Sequence, residues 1–92
     1  MENNIIFVGE KPTMTYVFAV TTQAENQNKI IIKARGRVIS KAVDIALISI
    51  NKYCTTFNIN EINVGTDEYI DEKQDKIRVS FIEIILKHGD NI

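Results

Sequence analysis

The sequence predicts a small α+β two-layer sandwich, in which two helices cover one face of a four-stranded mixed β-sheet. Three observations support this prediction. Apolar runs of strand length alternate with two segments of helical periodicity, their order is β-α-β-α-β-β, and a polar loop joins the last two strands. Those two strands are expected to form a hairpin that protrudes beyond the core. The length is typical of a single domain, predicted to span residues 1–92.

The first half of the chain predicts a strand, a helix and a second strand. Residues 5–8 are an apolar run rich in β-branched residues and closed by Gly9, which predicts a buried strand. Pro12 suits the start of a helix from Thr13 to about Gln23. Residues 29–33 place three isoleucines between two lysines, a pattern typical of a central strand. The next residues, Ala-Arg-Gly-Arg at 34–37, are predicted to form a tight basic turn.

The second half predicts a long helix and the hairpin. From about Ile39 to Tyr53, apolar residues keep a 3.6-residue period over a wide face, which indicates a helix in contact with more than one layer. Residues 59–64 alternate imperfectly between apolar and polar before Gly65, and residues 77–85 alternate again. These two runs are the predicted hairpin strands.

Composition excludes several functional classes. The 45% hydrophobic and 25% charged residues are typical of a folded globular chain. A lone cysteine, Cys54, and the lack of a signal-peptide pattern predict a reducing cytosol, and no apolar run is long enough for a membrane span. Because His88 is the single histidine, neither a nucleophilic Cys/His pair nor a zinc site is expected. We predict no enzyme activity, metal, cofactor or small-molecule substrate.

The charge distribution is uneven, although the formal net charge is only −1. A net charge near zero argues against nucleic-acid binding, which needs a surplus of cations. However, residues 29–43 contain five cationic side chains and no Asp or Glu, whereas residues 67–75 contain five acids and one lysine. This asymmetry indicates an oriented binding face.

The basic segment at residues 33–41 is the candidate phosphate site. Gly36 allows close approach of the backbone, Arg35 and Arg37 supply planar guanidinium groups, and Ser40 adds a hydroxyl near a helix start. Further candidates are the flanking lysines and the lysine of the first strand-to-helix connection, since both connections leave the same edge of the sheet: Lys33, Lys41 and Lys11. The alternative interpretation is a solvated basic turn that only packs.

Three stretches, at residues 9–17, 31–44 and 78–84, contain the motifs Gly-Glu-Lys-Pro, Lys-Ala-Arg-Gly-Arg and Arg-Val-Ser. Together they resemble the Alba family of archaeal chromatin proteins over nearly the whole chain. The resemblance implies a chromosome-associated homodimer that coats double-stranded DNA and also binds RNA. It also implies contacts from Lys11, Arg35 and Arg37, to which we add Arg78. Tyr53 matches an aromatic through which adjacent dimers associate on DNA.

Two departures from the family pattern predict weaker or more selective binding. Glu10 replaces a lysine that is common in the family and can be acetylated there, and the hairpin tip at residues 69–75 is acidic and should repel phosphates. Two alternatives to non-sequence-specific DNA binding therefore stay open. One is an RNA-binding role in RNA maturation or translation, and the other is a protein-interaction module with weakened nucleic-acid binding.

Overall fold

The structure, a computed structural model, describes residues 4–89 and has the predicted order of elements. These elements are β1 (Ile5–Phe7), α1 (Thr13–Ala24), β2 (Lys29–Arg35), α2 (Ile39–Ile48), β3 (Phe57–Ile70) and β4 (Lys76–His88). A short 3-10 helix, Gly36–Val38, precedes α2, and a π-helical turn, Ser49–Tyr53, extends it. The predicted helix from Ile39 to Tyr53 is thus present, with its last turn widened.

The four strands form one mixed sheet in the order β1-β2-β4-β3. β1 runs parallel to β2, as expected for strands joined by a crossover helix, and β4 is antiparallel to both of its neighbours. The predicted four-stranded mixed sheet is confirmed. β3 is an edge strand, so its outer side has no neighbouring strand within the described residues.

Both helices pack on one face of the sheet, and the core lies between the two layers. Side chains from alternate positions of β2 and β4 point to the helices, because successive residues of a strand face opposite sides. The largest fully buried apolar side chains are Val17, Val20, Ile30, Ile32, Ile45, Ile84 and Leu86. The sheet surface that the helices leave uncovered is called the open face below.

The predicted turn at residues 34–37 is wrong in its first half. Ala34 and Arg35 continue β2 and pair with Ile82 and Phe81 of β4. Ala34 is buried beneath the helices, so its packing outweighs the local preference of a basic Gly-containing segment for a turn. The chain leaves the sheet at Gly36.

The hairpin strands are longer than predicted, and Gly65 does not end β3. β3 continues to Ile70, and Gly65 lies opposite Phe81 of β4. The aromatic ring covers the glycine so closely that a Cβ at this position would lie 2.6 Å from Phe81 Cζ. Glycine in this strand therefore marks the close approach of a side chain, whereas the sequence pattern predicted that the strand ends before Gly65.

The hairpin extends past the helices, which gives the molecule a long axis of 52 Å against 27 and 26 Å in the other directions. Its tip is closed by Asp71, whose carboxylate accepts hydrogen bonds from the backbone N–H groups of Lys73 and Asp75. The aromatic and aliphatic residues just before the tip, Tyr69 and Ile70, are exposed. The protruding hairpin is confirmed.

Candidate nucleic-acid interface

The two strand-to-helix connections meet at one edge of the sheet and are joined by Lys41. Its ammonium group donates hydrogen bonds to the carbonyl oxygen of Lys11 at 2.7 Å and to that of Gly9 at 3.2 Å. Lys11 is therefore beside the second connection, as the topology predicted. We call the residues of this region the basic edge: Lys11, Gly36, Arg37, Ser40 and Lys41.

Tyr16 fixes the shape of the first connection from within α1. Its hydroxyl oxygen accepts hydrogen bonds from the backbone N–H of Gly9 at 2.9 Å and of Lys11 at 3.2 Å. The ring itself is buried in the core, so the hydroxyl has one fixed position. With the two bonds from Lys41, four hydrogen bonds hold this connection, which presents Lys11 on an ordered backbone.

Gly36 adopts a left-handed backbone conformation with a φ of +64° at the point where β2 gives way to the 3-10 helix. A Cβ there would find no atom closer than Val79 Cγ1 at 3.8 Å, so space does not require glycine. The positive φ does, because other residues reach it only at a cost of about 1 kcal/mol or more. The exposed Ser40 lies in the first turn of α2, and its side chain makes no hydrogen bond within residues 4–89.

Arg37 reaches across the basic edge to Glu10. Its Nη2 lies 3.1 Å and its Nε 3.3 Å from the same carboxylate oxygen of Glu10. Both side chains are largely exposed, at 84% and 69%. An exposed pair of this kind is screened by water and adds little stability, so a stronger anion can displace the carboxylate.

Lys33 and Arg35 do not belong to the basic edge, although they are close to it in sequence. Both lie on the open face of β2, where Lys33 Nζ is 3.4 Å from Glu83 and Arg35 Nη2 is 3.5 Å from Asp67. The cations of the basic segment at residues 33–41 therefore lie on two separate surfaces. Because β2 extends through Arg35, the strand alternation places these cations on the sheet surface.

Arg78 occupies a third location, on the hairpin. It lies opposite Glu68 of β3, and the two side chains form an ion pair with 3.3 Å between Arg78 Nε and a Glu68 oxygen. Arg78 is three residues from Phe81 on β4, so the two side chains point to opposite faces of the hairpin. Arg78 is thus on the side that continues the helix-covered face of the sheet. Of the predicted contact residues, Lys33, Arg35, Arg37 and Arg78 thus each have a carboxylate partner.

Tyr53 is exposed at the end of the π-helical turn, with 47% of its surface accessible. Its ring forms an edge-to-face contact with Phe18 of α1, with 6.2 Å between centroids and an interplanar angle of 80°. Phe18 is also exposed. The two rings form an aromatic pair on the outer surface of the helix layer, far from the open face.

A family model described as Alba matches residues 4–66, which is more than half of the chain. The chain belongs to the Alba family. Its 92 residues are 49% identical over 87 residues to the "DNA/RNA-binding protein Alba" of Methanocella arvoryzae, covering 94% of this chain and 91% of the relative. They are 54% identical over 86 residues to the protein of the same name from Thermoplasma volcanium, covering 92% and 96%.

The fold agrees with that of a solved Alba structure. The structure of Alba from Thermoplasma volcanium superimposes on this Alba-family chain with a TM-score of 0.83 and 53% sequence identity, covering 91% of this chain and 99% of that one. The resemblance predicted from the three sequence stretches is confirmed. No helix of residues 4–89 has the length and apolarity to cross a membrane. The same residues contain no cluster of three or more His, Cys, Asp and Glu side chains arranged to hold a metal ion.

Sequence reasoning missed the aromatic residues of the open face in this Alba-family chain. Phe7 of β1 is 70% exposed, and together with Phe81 it lines a surface cavity of about 400 Å³ that also contains Lys33 and Arg35. The run Ile-Ile-Phe-Val at residues 5–8 is apolar on both faces, so its pattern suggested a fully buried strand. No signal in a three-residue strand distinguishes its covered face from its open one.

Proposed function

We propose that this chain is a non-enzymatic nucleic-acid-binding protein. It binds double-stranded DNA without sequence specificity, and also RNA, through phosphate contacts from the basic edge and from the neighbouring cations Lys33 and Arg35. Arg78 extends this contact along the hairpin. The name "DNA/RNA-binding protein Alba", which relatives with 49% and 54% identity carry, supports nucleic acid as the ligand. A cytoplasmic, chromosome-associated location belongs to the same proposal.

The observation that carries the proposal is the fixed meeting of two strand-to-helix connections at the basic edge. Lys41 and Tyr16 hold the backbone of the first connection, and Gly36 turns the second toward it. Lys11 belongs to the first connection and Arg37 to the second, and the exposed hydroxyl of Ser40 lies nearby. Cationic side chains on an ordered polypeptide backbone beside a glycine suit binding to the phosphates of a nucleic acid. Contacts to phosphates carry no sequence information.

The test is a fluorescence-anisotropy titration of labelled duplex DNA at low and moderate salt. Log affinity should fall with log salt at about −0.9 per neutralised phosphate, and an Arg35→Ala/Arg37→Ala variant should weaken binding to all sequences alike. The control Lys29→Ala/Lys87→Ala removes the same charge from exposed residues at the other end of the β2–β4 pair. Salt-independent binding, or equal losses in the two double variants, would contradict the proposal.

A homodimer is part of the proposal, and an exposed apolar strip supports it. Ile62 and Val64 of β3 pair with the buried Ile84 and Ile82, so they point to the helix-covered side of the sheet, yet they are 51% and 71% exposed. No helix covers them, because α2 packs on β2 and β4 while β3 lies beyond β4 at the sheet edge.

The flank of α2 that faces β3 is also apolar. Lys41 points to the connection before α1, and Val43 lies about 200° around the helix from it, on the opposite flank. Leu47 follows one turn later, and both side chains are more than a third exposed. Val43, Leu47, Ile62 and Val64 form the apolar strip. A second copy of the chain that covered this strip would add the buried surface that a 92-residue core lacks.

We assign the contact between neighbouring dimers along DNA to Tyr53. The exposed Tyr53–Phe18 pair is an aromatic surface of the kind that contributes strongly to protein interfaces. It lies on the helix layer, away from the basic edge, so it is free to contact a neighbouring dimer while the basic edge binds phosphate. This arrangement supports cooperative coating of a duplex.

A protein-interaction role is the second candidate, and the carboxylate partners of Lys33, Arg35, Arg37 and Arg78 favour it. Each of these cations has a carboxylate oxygen at 3.1 to 3.5 Å, which lowers the positive potential that would attract a phosphate. Recovery of a stoichiometric protein partner after nuclease treatment would favour this role. Loss of that partner on nuclease treatment would exclude it, and competition between duplex DNA and structured RNA would identify the main nucleic-acid ligand.

A further inference from the structure

The open face contains two aromatic rings beside two ion pairs. Phe7 lies on β1, Lys33 is its register partner on β2, and Glu83 is the partner of Lys33 on β4. Two residue pairs further along, Arg35 of β2 lies opposite Phe81. Since register partners share a face of the sheet, all of these side chains point to the same surface.

The aromatic ring of Phe7 is largely exposed on the open face, and no packing contact within the sheet of residues 4–89 requires an aromatic there. The ring is 70% accessible, and its contact with a cation is with Lys33, whose Nζ lies 5.9 Å from the ring centroid. Because a ring that stays exposed gains no burial energy on folding, an aromatic at the rim of a cavity is available to contact a ligand.

Phe81 is held in a fixed position on the same surface. Its ring lies directly over Gly65 of the neighbouring strand, where a Cβ would lie 2.6 Å from Cζ and 2.8 Å from Cε2. The end of the ring therefore packs against the backbone of β3, and Phe81 lines the 400 Å³ cavity together with Phe7. The cavity is within the size range of small-ligand sites.

We propose that the open face binds an unpaired nucleobase of single-stranded nucleic acid. The base stacks on Phe7 or Phe81, which suits any base because all have a π face. The cations Lys33 and Arg35 contact the adjacent phosphates. The carboxylates of Glu83 and Asp67 accept hydrogen bonds from an exocyclic amino group, as carboxylates do from cytosine N4. Nucleobases that carry such a group, with cytosine as the probe, are therefore preferred over uracil.

A duplex cannot stack a base on Phe7 or Phe81, because its bases are already stacked and paired, although its phosphates can still contact Lys33 and Arg35. The open face is thus distinct from the basic edge, which contacts phosphates whether or not the bases are free. Because the inference rests on nucleic acid being the ligand, its test measures duplex and single-strand binding separately.

The first measurement uses Phe7→Trp as a reporter, since the sequence contains no tryptophan. A short oligocytidine RNA should quench its fluorescence, an oligouridine of equal length should need a several-fold higher concentration, and an abasic oligomer should not quench. Thr22→Trp, on an exposed position of α1 in the other layer, is the matched control and should not respond to any of them. Equal quenching of both reporters, or none of Phe7→Trp, would overturn the inference.

The second measurement compares Phe7→Ala with the unaltered protein. Affinity for the oligocytidine should fall about 5- to 100-fold, the effect expected for loss of one stacking partner, while affinity for a duplex should change less than twofold. Gly65→Ala, which displaces the Phe81 ring, should act in the same direction. The molecular mass in solution should be unchanged by Phe7→Ala, and a changed mass would assign the ring to a protein contact instead.

The outcomes separate the two proposals. Retained salt-sensitive duplex binding with no effect of Phe7→Ala on the single strand would reject the base site alone. If the unaltered protein does not bind duplex DNA even at low salt, the proposed function is rejected. Equal losses for duplex and single strand in Phe7→Ala would show that Phe7 does not contact free bases.

Discussion

The Glu10 carboxylate and the Arg37 guanidinium are in contact across the basic edge, with 3.1 Å between Arg37 Nη2 and the nearer oxygen. Each residue belongs to a different strand-to-helix connection. The resemblance to basic relatives implied a lysine where this chain has Glu10. The acid does more than remove a positive charge, because it occupies the donors of the neighbouring arginine.

Replacing Glu10 by glutamine should strengthen duplex binding. The change frees Arg37 from its carboxylate partner, and because an exposed pair is worth at most about 1 kcal/mol, affinity should rise about two- to fivefold at low salt. The control is Glu25→Gln, an equal charge change at an exposed position after α1. Anisotropy titrations of the two variants separate the local effect from the net-charge effect; an equal gain in both would contradict the local one.

Removing the Tyr16 hydroxyl should loosen the connection that carries Lys11. In Tyr16→Phe the backbone N–H groups of Gly9 and Lys11 lose their shared acceptor, which should lower the free energy of unfolding by about 1–2 kcal/mol. Urea unfolding measures the loss. Tyr53→Phe is the matched control, because its hydroxyl makes no hydrogen bond within residues 4–89, and it should change stability by less than about 0.5 kcal/mol.

An acid in the apolar strip should dissociate the proposed homodimer. Leu47→Asp and Val64→Asp place a charge where a second copy would bury it, whereas Thr22→Asp puts the same charge on an exposed position of α1. Sedimentation velocity should show a monomer for the first two variants and a dimer for the third. A dimer in all three would move the interface elsewhere on the molecule.

Truncating Tyr53 should reduce the cooperativity of binding to a long duplex and leave the affinity of one dimer for DNA almost unchanged. Tyr53→Ala removes half of the exposed aromatic pair with Phe18, while Tyr53→Phe retains the ring. On a long duplex the alanine variant should bind with a shallower isotherm, and on a duplex that accommodates one dimer it should match the unaltered protein. A steep isotherm for the alanine variant would remove Tyr53 from the dimer–dimer contact.

The element order was predictable because apolar periodicity differs between strands and helices, but the strand ends depended on tertiary contacts. β2 gains Ala34 and Arg35 because both pair with β4, a partner about fifty residues away in sequence. In β3, the imperfect alternation has a definite cause. Ile59 pairs with Leu86 and Glu61 with Ile85, so Asn60 is an extra residue in a β-bulge that returns Ile62 to the helix side.

The sequence predicts which residue types form the candidate site, but not how these residues are arranged on the surface. The approach of Lys11 to the second connection follows from topology alone, since consecutive β-α connections leave the same sheet edge. The separation of Arg35 from Arg37 does not, because it depends on where β2 ends. Tyr16 gave no signal, since an aromatic in a helix is usually a core residue and its hydroxyl partners lie in a loop.

Gly36 stands between two surfaces of different chemistry. Arg35, one residue before it, lies on the open face, and Arg37, one residue after it, lies at the basic edge. If both proposals hold, a nucleic acid that opens from duplex into single strand would meet both surfaces at once, and the second contact would form at high effective concentration. The chain would then bind forks and hairpin-loop boundaries more tightly than duplex or single strand alone, with the left-handed turn at Gly36 joining the two surfaces.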